Sequence, residues 1–171
     1  PSVHLGYTLP HEQKLTFAYS YRTNRPELFF MEPYITYRDY YTAEIGNPDI
    51  RPEYIHSFEL NYKKTMGEHT LQSSLFYRKR KDKIERLRVP YEAGVTLDSM
   101  ANVGNDYSLG VELSTQLKVT KWWNLDVNGN IYYYKVMNNI NSGGKKETST
   151  NYDFTVNNLF RVHKNTRIQL D

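Results

Sequence analysis

Three groups of side chains and one acidic set are the places where this chain could do chemistry. Phe29, Phe30, Tyr34, Tyr37, Tyr40 and Tyr41 crowd into one segment between two strand-like stretches. Rings at such density either pack into a small core of their own or line a ligand vestibule by stacking on sugars and flat organic surfaces. Both readings stand, and these six are the candidate ligand-binding residues. Arg78, Lys79, Arg80 and Lys81, with Asp82, Lys83, Arg86 and Arg88 beyond, form the one basic run. Such a run holds phosphates through charge-assisted hydrogen bonds, or is simply a solvated face.

His11, His69 and His163 fall in tight turns at one end of the strand patterns and raise the question of a metal. Those turns are spread along the chain, so solvated turn residues are expected and no metal site is assigned. Glu59, Glu112, Asp126 and Asp153 share a wet side, and paired carboxylates can do acid–base work. No nucleophile or base accompanies them at a recognisable spacing. They are expected to line a hydrated interior, with no catalytic residue and no cofactor.

The elements that must position these groups are strands. Lys14–Arg22 sets Leu15, Phe17, Tyr19 and Tyr21 against Thr16, Ala18, Ser20 and Arg22. Successive side chains of a strand point to opposite faces, so the segment has one oily and one wet side. Similar alternation marks Val3–Leu9, Ser57–Lys63, Thr70–Arg78, Tyr107–Lys118, the stretch from Asn124 through Tyr133, Asn151–Val162 and the start of an eighth strand at Arg167. Two residues break the pattern, Phe76 on a polar side and Asn158 on an apolar one. Tight turns at Pro10–Gln13, Lys64–His69, Val119–Trp123 and Lys164–Thr166 alternate with long excursions over Thr23–Ile55, Lys79–Asn105 and Met137–Thr150. The last of these holds Asn141-Ser142-Gly143-Gly144, flexible turn chemistry. No helix is predicted.

Short and long connections in alternation are the pattern of an up-and-down transmembrane β-barrel wall. No apolar run approaches the ~20 residues of a membrane helix. Low mean hydropathy is no objection, because half of each barrel strand faces water. A soluble β-sandwich also alternates. Its connections do not alternate in length, however, and it has no use for two tiers of aromatics. Here Tyr7, Tyr62, Trp122 and Trp123 lie by short turns, and Tyr21, Tyr77, Tyr133 and Tyr134 lie where strands meet long loops. On the long-loop side the basic run would meet lipid phosphate, which makes Arg78, Lys79, Arg80 and Lys81 candidate lipid contacts. A net charge of +3 is too small to suggest a nucleic-acid partner. The chain lacks cysteine, so disulfides and thiolate metal sites are excluded. No signal peptide precedes Pro1, and the chain is expected to be a cut-out from a longer polypeptide.

One motif is distinctive. Ile45-Gly46-Asn47-Pro48-Asp49-Ile50-Arg51-Pro52-Glu53, followed by Phe58-Glu59-Leu60-Asn61-Tyr62, resembles a signature of TonB-dependent outer-membrane receptors. Tyr21-Arg22-Thr23-Asn24-Arg25-Pro26, Glu32-Pro33-Tyr34, the stretch Asn105 to Leu113 and Thr120 to Leu125 are similar to other parts of the Bacteroidetes-type outer-membrane β-barrel family. Ile50 stands where the family has Leu, and Asn61 where it has Gly. On the residues alone, Gly46-Asn47-Pro48 reads as a turn, Pro52 holds Arg51 extended, and Asp49, Arg51 and Glu53 can pair locally. The segment is expected to pin the loop's re-entry into a strand rather than to touch ligand.

The resemblance implies that residues 1–171 are a partial barrel domain, about eight strands of a wall of about twenty-two, with plug and remaining strands elsewhere. It implies a receptor for nutrient uptake whose partners are outer-membrane lipid, a plug, an energy-coupling protein and a surface lipoprotein. Two alternatives belong to other classes. One is a complete eight-stranded barrel serving as anchor or adhesin. The other is a soluble, aromatic-rich carbohydrate-binding module.

Overall fold

The computed structural model of the chain describes residues 1–138, 146–163 and 166–170. Its strands are β1 (Ser2–Leu9), β2 (Gln13–Asn24), β3 (Ile35–Tyr37), β4 (Thr42–Ile45), β5 (Glu53–Met66), β6 (His69–Glu92), β7 (Val95–Lys118), β8 (Trp123–Asn138), β9 (Lys146–His163) and β10 (Thr166–Leu170). One antiparallel sheet runs in the order β1-β2-β5-β6-β7-β8-β9-β10, and the eight expected strands are all in it. β3 and β4 form a small hairpin off this path, and β4 lies parallel to the upper part of β7, Thr42 opposite Thr96. A single 3-10 turn at Leu28–Met31 is the one helical element among the described residues; it lies in the first long excursion, outside the eight strands.

The register separates the two faces cleanly. One row across seven strands reads Leu5, Phe17, Leu60, Leu75, Val111, Ile131, Tyr152. The neighbouring row on the opposite face reads Gly6, Thr16, Asn61, Ser74, Glu112, Asn130, Asp153. A one-residue slip would exchange these faces in full, so the pattern itself fixes the pairing.

None of the described residues covers the apolar face. Leu5 is 63% exposed, Ile131 54%, Phe154 69% and Tyr152 82%. The accessible surface is 12078 Å², against roughly 8,800 Å² for a compact monomer of this mass. Among the described residues the buried apolar side chains are only Ala43, Ile50, Phe76 and Val103. Each large apolar side chain kept from an apolar phase forgoes about 1.5–3 kcal/mol, so this sheet requires a non-aqueous medium against that face. The sandwich reading therefore fails: among the described residues no second sheet packs on the first. The closed eight-stranded barrel fails too, because β1 and β10 end the path and do not pair.

The expected excursion over Lys79–Asn105 is not a loop. β6 and β7 continue through it as 24-residue strands joined by a turn at Ala93–Gly94, Gly94 taking φ +79. A spanning strand needs only ~9–11 residues, so this hairpin extends some 40 Å further at ~3.3 Å per residue. With water on both sides, apolar alternation no longer marks the strands. Cross-strand pairs such as Arg88 opposite Asp98 hold them instead. β8 and β9 likewise run further than predicted, to Asn138 and from Lys146, and the Asn141–Gly144 turn lies outside the described residues.

Both pattern-breaking residues have structural causes. Phe76 sits on the polar face because Gly110 opposite it leaves room: a Cβ at Gly110 would lie 2.7 Å from the Phe76 ring and 2.7 Å from the Ile131 carbonyl oxygen. Asn158, on the apolar face, accepts the indole N–H of Trp123 at 3.2 Å. Trp123 in turn stacks with Trp122 and Phe160, the three rings having centroids 5.9 to 6.4 Å apart.

Candidate functional site

At the long-connection end, the Gly46–Glu53 segment clamps the β3–β4 pad onto the projecting β6–β7 hairpin. Gly46 N–H donates to the Glu32 carbonyl at 2.9 Å, and Asn47 N–H to that of Phe30 at 2.7 Å. A Cβ at Gly46 would sit 2.5 Å from the Glu32 nitrogen, so close backbone approach, not a positive φ, demands glycine there. Asn47 Oδ1 accepts from Asp49 N–H at 3.0 Å while its Nδ2 reaches the Met100 carbonyl at 3.1 Å. Asn102 binds both backbone groups of Arg51 (2.8 and 2.9 Å) and the Asp82 carbonyl (2.7 Å). The expected pinning of loop re-entry is what these bonds do. The expected local pairing is not: Arg51 pairs with Asp82 at 2.8 Å, and Glu53 turns to Asn24, Ile84 and Arg80.

Those contacts converge on a bulge. Pairing of β6 with β7 shifts register between Arg80 and Ile84, where Asp82 takes φ +55 and Gly104 φ +140. β6 takes one extra residue between Arg80 and Lys83 and β7 one between Gly104 and Asn102, so the shifts cancel while both strands bend locally. Glu53, only 4% exposed, seals the junction by accepting Ile84 N–H at 2.7 Å and Asn24 Nδ2 at 2.8 Å. Beside it Asp106, also buried, accepts the Tyr134 hydroxyl at 2.9 Å and stands 3.6 Å from Lys83 Nζ and 3.7 Å from Arg80 Nε. Tyr134 therefore faces the polar side, not the aromatic tier expected for it.

Further out, a chain of alternating charge ties hairpin to pad. Arg88 grips Asp98 with two bonds of 2.7 and 2.8 Å. Arg86 lies 3.6 Å from Asp98 and 3.8 Å from Glu44, and Glu44 also pairs with Arg38. The hydrogen bonds from Arg88 hold the Asp98 carboxyl below the usual carboxylate range against an opposing push from desolvation. Beside this chain, Phe29, Phe30, Tyr34, Ile45, Arg86 and Met100 help line a cleft with about 30 Å³ of free space, room for one water.

The six aromatics do not form a core. Phe29 is 53% exposed, Tyr34 75%, Tyr37 55%, Tyr40 93% and Tyr41 72%. Phe30 is half-buried and meets Phe29 edge-on. The basic run is divided by the strand itself. Arg78 and Arg80 project to the polar face, Arg78 over the Phe76 ring at 5.8 Å. Lys79 and Lys81 project to the apolar face, Lys79 over the Tyr107 ring at 5.6 Å.

The four carboxylates Glu59, Glu112, Asp126 and Asp153 all occupy polar-face positions, with Ser57 donating to Glu59 at 3.2 Å. His11 lies in the β1–β2 turn with φ +61, and His69 opens β6 and accepts Lys118 N–H at 3.2 Å. The side chain of His163 lies outside the described residues. No three histidine or acidic side chains converge to hold a metal among the described residues. Sequence reasoning missed Asp98, Glu44, Asn102 and Asp106. Asp98 comes opposite Arg88 only once β6 and β7 are known to continue as strands to the turn at Gly94.

The fold resembles known barrels. The siderophore receptor PirA from Pseudomonas aeruginosa matches 99% of this chain at 15% identity with a TM-score of 0.64, over 37% of its own length. The ferric enterobactin receptor PfeA matches 99% of the chain at 14% identity and TM-score 0.60, over 34% of its length. The copper transporter OprC matches 98% at 12% identity and TM-score 0.58, over 32% of its length. The chain thus spans about a third of each of these proteins. No curated protein sequence matches it. The outer membrane protein beta-barrel family matches residues 1–171 in full. With its unpartnered apolar face and its open, barrel-like sheet, the chain belongs to that family and is a stretch of outer-membrane barrel wall.

Proposed function

We propose that these strands form part of the wall of a TonB-dependent nutrient receptor, a conduit rather than a catalyst. In that reading the polar face lines the interior around a plug, an energy-coupling protein drives import, and the outer pad meets substrate. The observation that carries it is the division of the sheet: carboxylates, amides and hydroxyls hold one face while the other is left for lipid. The likeness to siderophore receptor barrels supports a wide barrel over a narrow one. The Bacteroidetes-type origin rests on the motif resemblance alone.

Substrate capture falls to the exposed rings. Tyr34, Tyr37, Tyr40 and Tyr41 offer flat, amphipathic surface on a pad braced by Gly46, Asn47 and Asn102, with Phe29 and Phe30 at its base. Such rings stack on sugars or on aromatic chelates. The test is uptake by whole cells of the organism's growth-limiting nutrients, with Tyr37→Ala and Tyr40→Ala in the protein and a strain lacking the energy coupler beside it. The expected result is loss of one nutrient's uptake in both. Unchanged uptake in the folded alanine variants removes the vestibule, and uptake independent of the coupler removes the receptor reading.

A further inference from the structure

On the apolar face, charge is sorted by height and by sign. Its strand positions, from Val3 on β1 to Leu170 on β10 and below the bulge on β6 and β7, carry no aspartate or glutamate. They carry five lysines: Lys64 at the short-turn end, and Lys79, Lys81, Lys135 and Lys146 at the long-connection end. The acids of the strands all stand on the polar face, on the hairpin or, as Glu44 does, on β4 beside it. There Arg51, Arg80, Lys83, Arg86 and Arg88 have carboxylate partners. Lys79, Lys81 and Lys135 have none among the described residues.

The register brings these unpaired lysines together. Lys79 lies opposite Tyr107, which lies opposite Lys135, and Tyr21 and His56 continue the same row. Two strand spacings of ~4.8 Å place Lys79 and Lys135 roughly 10 Å apart at Cα, with Lys81 one step further along its strand. Directly beneath comes the row Val3, Tyr19, Phe58, Tyr77, Leu109, Tyr133. This is a belt of cations and tyrosines at the upper rim of the hydrocarbon-facing band, where headgroups begin.

We propose that Lys79, Lys81 and Lys135, with Tyr107 between them, bind the phosphates of an outer-leaflet glycolipid whose acyl chains lie on the aliphatic band. The inference rests on the outer-membrane assignment and not on the nutrient-receptor reading. It also narrows the basic run: Arg78 and Arg80 point the other way and are not part of the site. A protein carboxylate as occupant is disfavoured because no acid of this face lies near. Long connections face the cell exterior in such barrels, so the lipid is that of the outer leaflet.

The test uses the protein extracted from outer membranes in detergent, exchanged to remove native lipid. Two probes are offered: a glucosamine-based glycolipid bearing two phosphates, and the same lipid dephosphorylated. Lipid retained per protein is read by native mass spectrometry. The unaltered protein should retain the phosphorylated lipid selectively. Lys79→Gln with Lys135→Gln should weaken that retention by roughly tenfold, whereas Lys79→Arg with Lys135→Arg should preserve it. Lys64→Gln, on the same face at the other end, should leave it unchanged. Equal retention of both probes overturns the proposal, as does full retention by the double glutamine variant or an equal loss from Lys64→Gln. Heat-modifiable migration on a gel establishes that each variant is folded, and the arginine pair keeps the test decisive should a glutamine variant not fold.

Discussion

The lower and upper halves of the β6–β7 hairpin are built from the same two strands and stabilised in different ways. Below the bulge at Asp82, Leu75 and Val111 stand opposite one another with 47% and 42% exposure. The protein gives them little to pack on, and the stabilising medium is lipid. Above the bulge, Asp98 is buried and gripped by Arg88, and Arg86 bridges to Glu44 on the pad. There the hairpin carries its own cross-strand charge and borrows one extra strand, β4, for its open edge. One element can thus cross between two solvents, provided its side-chain chemistry changes where the solvent does.

The largest expected effect comes from treating the lower half as though water covered it. Leu75→Arg, in the middle of the apolar row, should destabilise the folded barrel by about 2–4 kcal/mol in lipid vesicles. Chemical unfolding monitored by tryptophan fluorescence reads this directly. An effect near zero would mean that lipid does not cover Leu75. At the junction of the halves, Glu53→Gln keeps one acceptor but loses the charge that Asn24, Ile84 and Arg80 address. A loss of about 1–2 kcal/mol is expected in the same assay.

In the upper half, Asp98→Asn should speed protease cleavage between Arg86 and Asp98 while leaving the unfolding midpoint of the sheet in place. The same bond sets a pH dependence. Asp98 has a depressed carboxyl pKa in the folded state, so its contribution is present above the unfolded value of about 3.9 and is lost as pH falls through the lower folded value. Hairpin protection from an acid-active protease should persist at pH 4 and fail only in stronger acid. Loss between pH 7 and 5 would show that another group governs the hairpin. The smallest effect is expected at the tip: Tyr40→Ala, at 93% exposure, should change stability by under about 0.5 kcal/mol. Any larger cost would mean that Tyr40 packs against something when the protein is in its membrane.

What could be read from residues alone follows the same boundary. Lys14–Arg22 and Tyr107–Lys118 announce their strands because lipid and water impose opposite demands on alternate positions. Above the bulge that contrast disappears, and Ile84–Val89 reads as a charged loop although it is strand. Ala93–Gly94 marked the true turn, but a turn is legible only between recognised strands. The Gly46–Glu53 segment was legible as a brace, yet its partners Asn102 and Asp82 lie far along the chain, and nothing local names them. Splitting of Arg78–Lys81 between two faces follows from strand geometry once β6 is known to continue. Lys135 joins Lys79 only through Tyr107, a register fact no single strand reveals.

The chain lacks cysteine, so single cysteines can be spin-labelled one at a time along β6 and compared for collision with oxygen and with a water-soluble nickel chelate. From Leu71 to Tyr77 the labels should alternate, with oxygen dominant at Leu71, Ser73, Leu75 and Tyr77 and the chelate dominant at Gln72 and Ser74. Above Asp82 the alternation in oxygen access should cease, and the exposed positions should favour the chelate. Chelate access at Leu75 equal to that at Ser74, or loss of both at Leu75, would contradict a lipid-facing band.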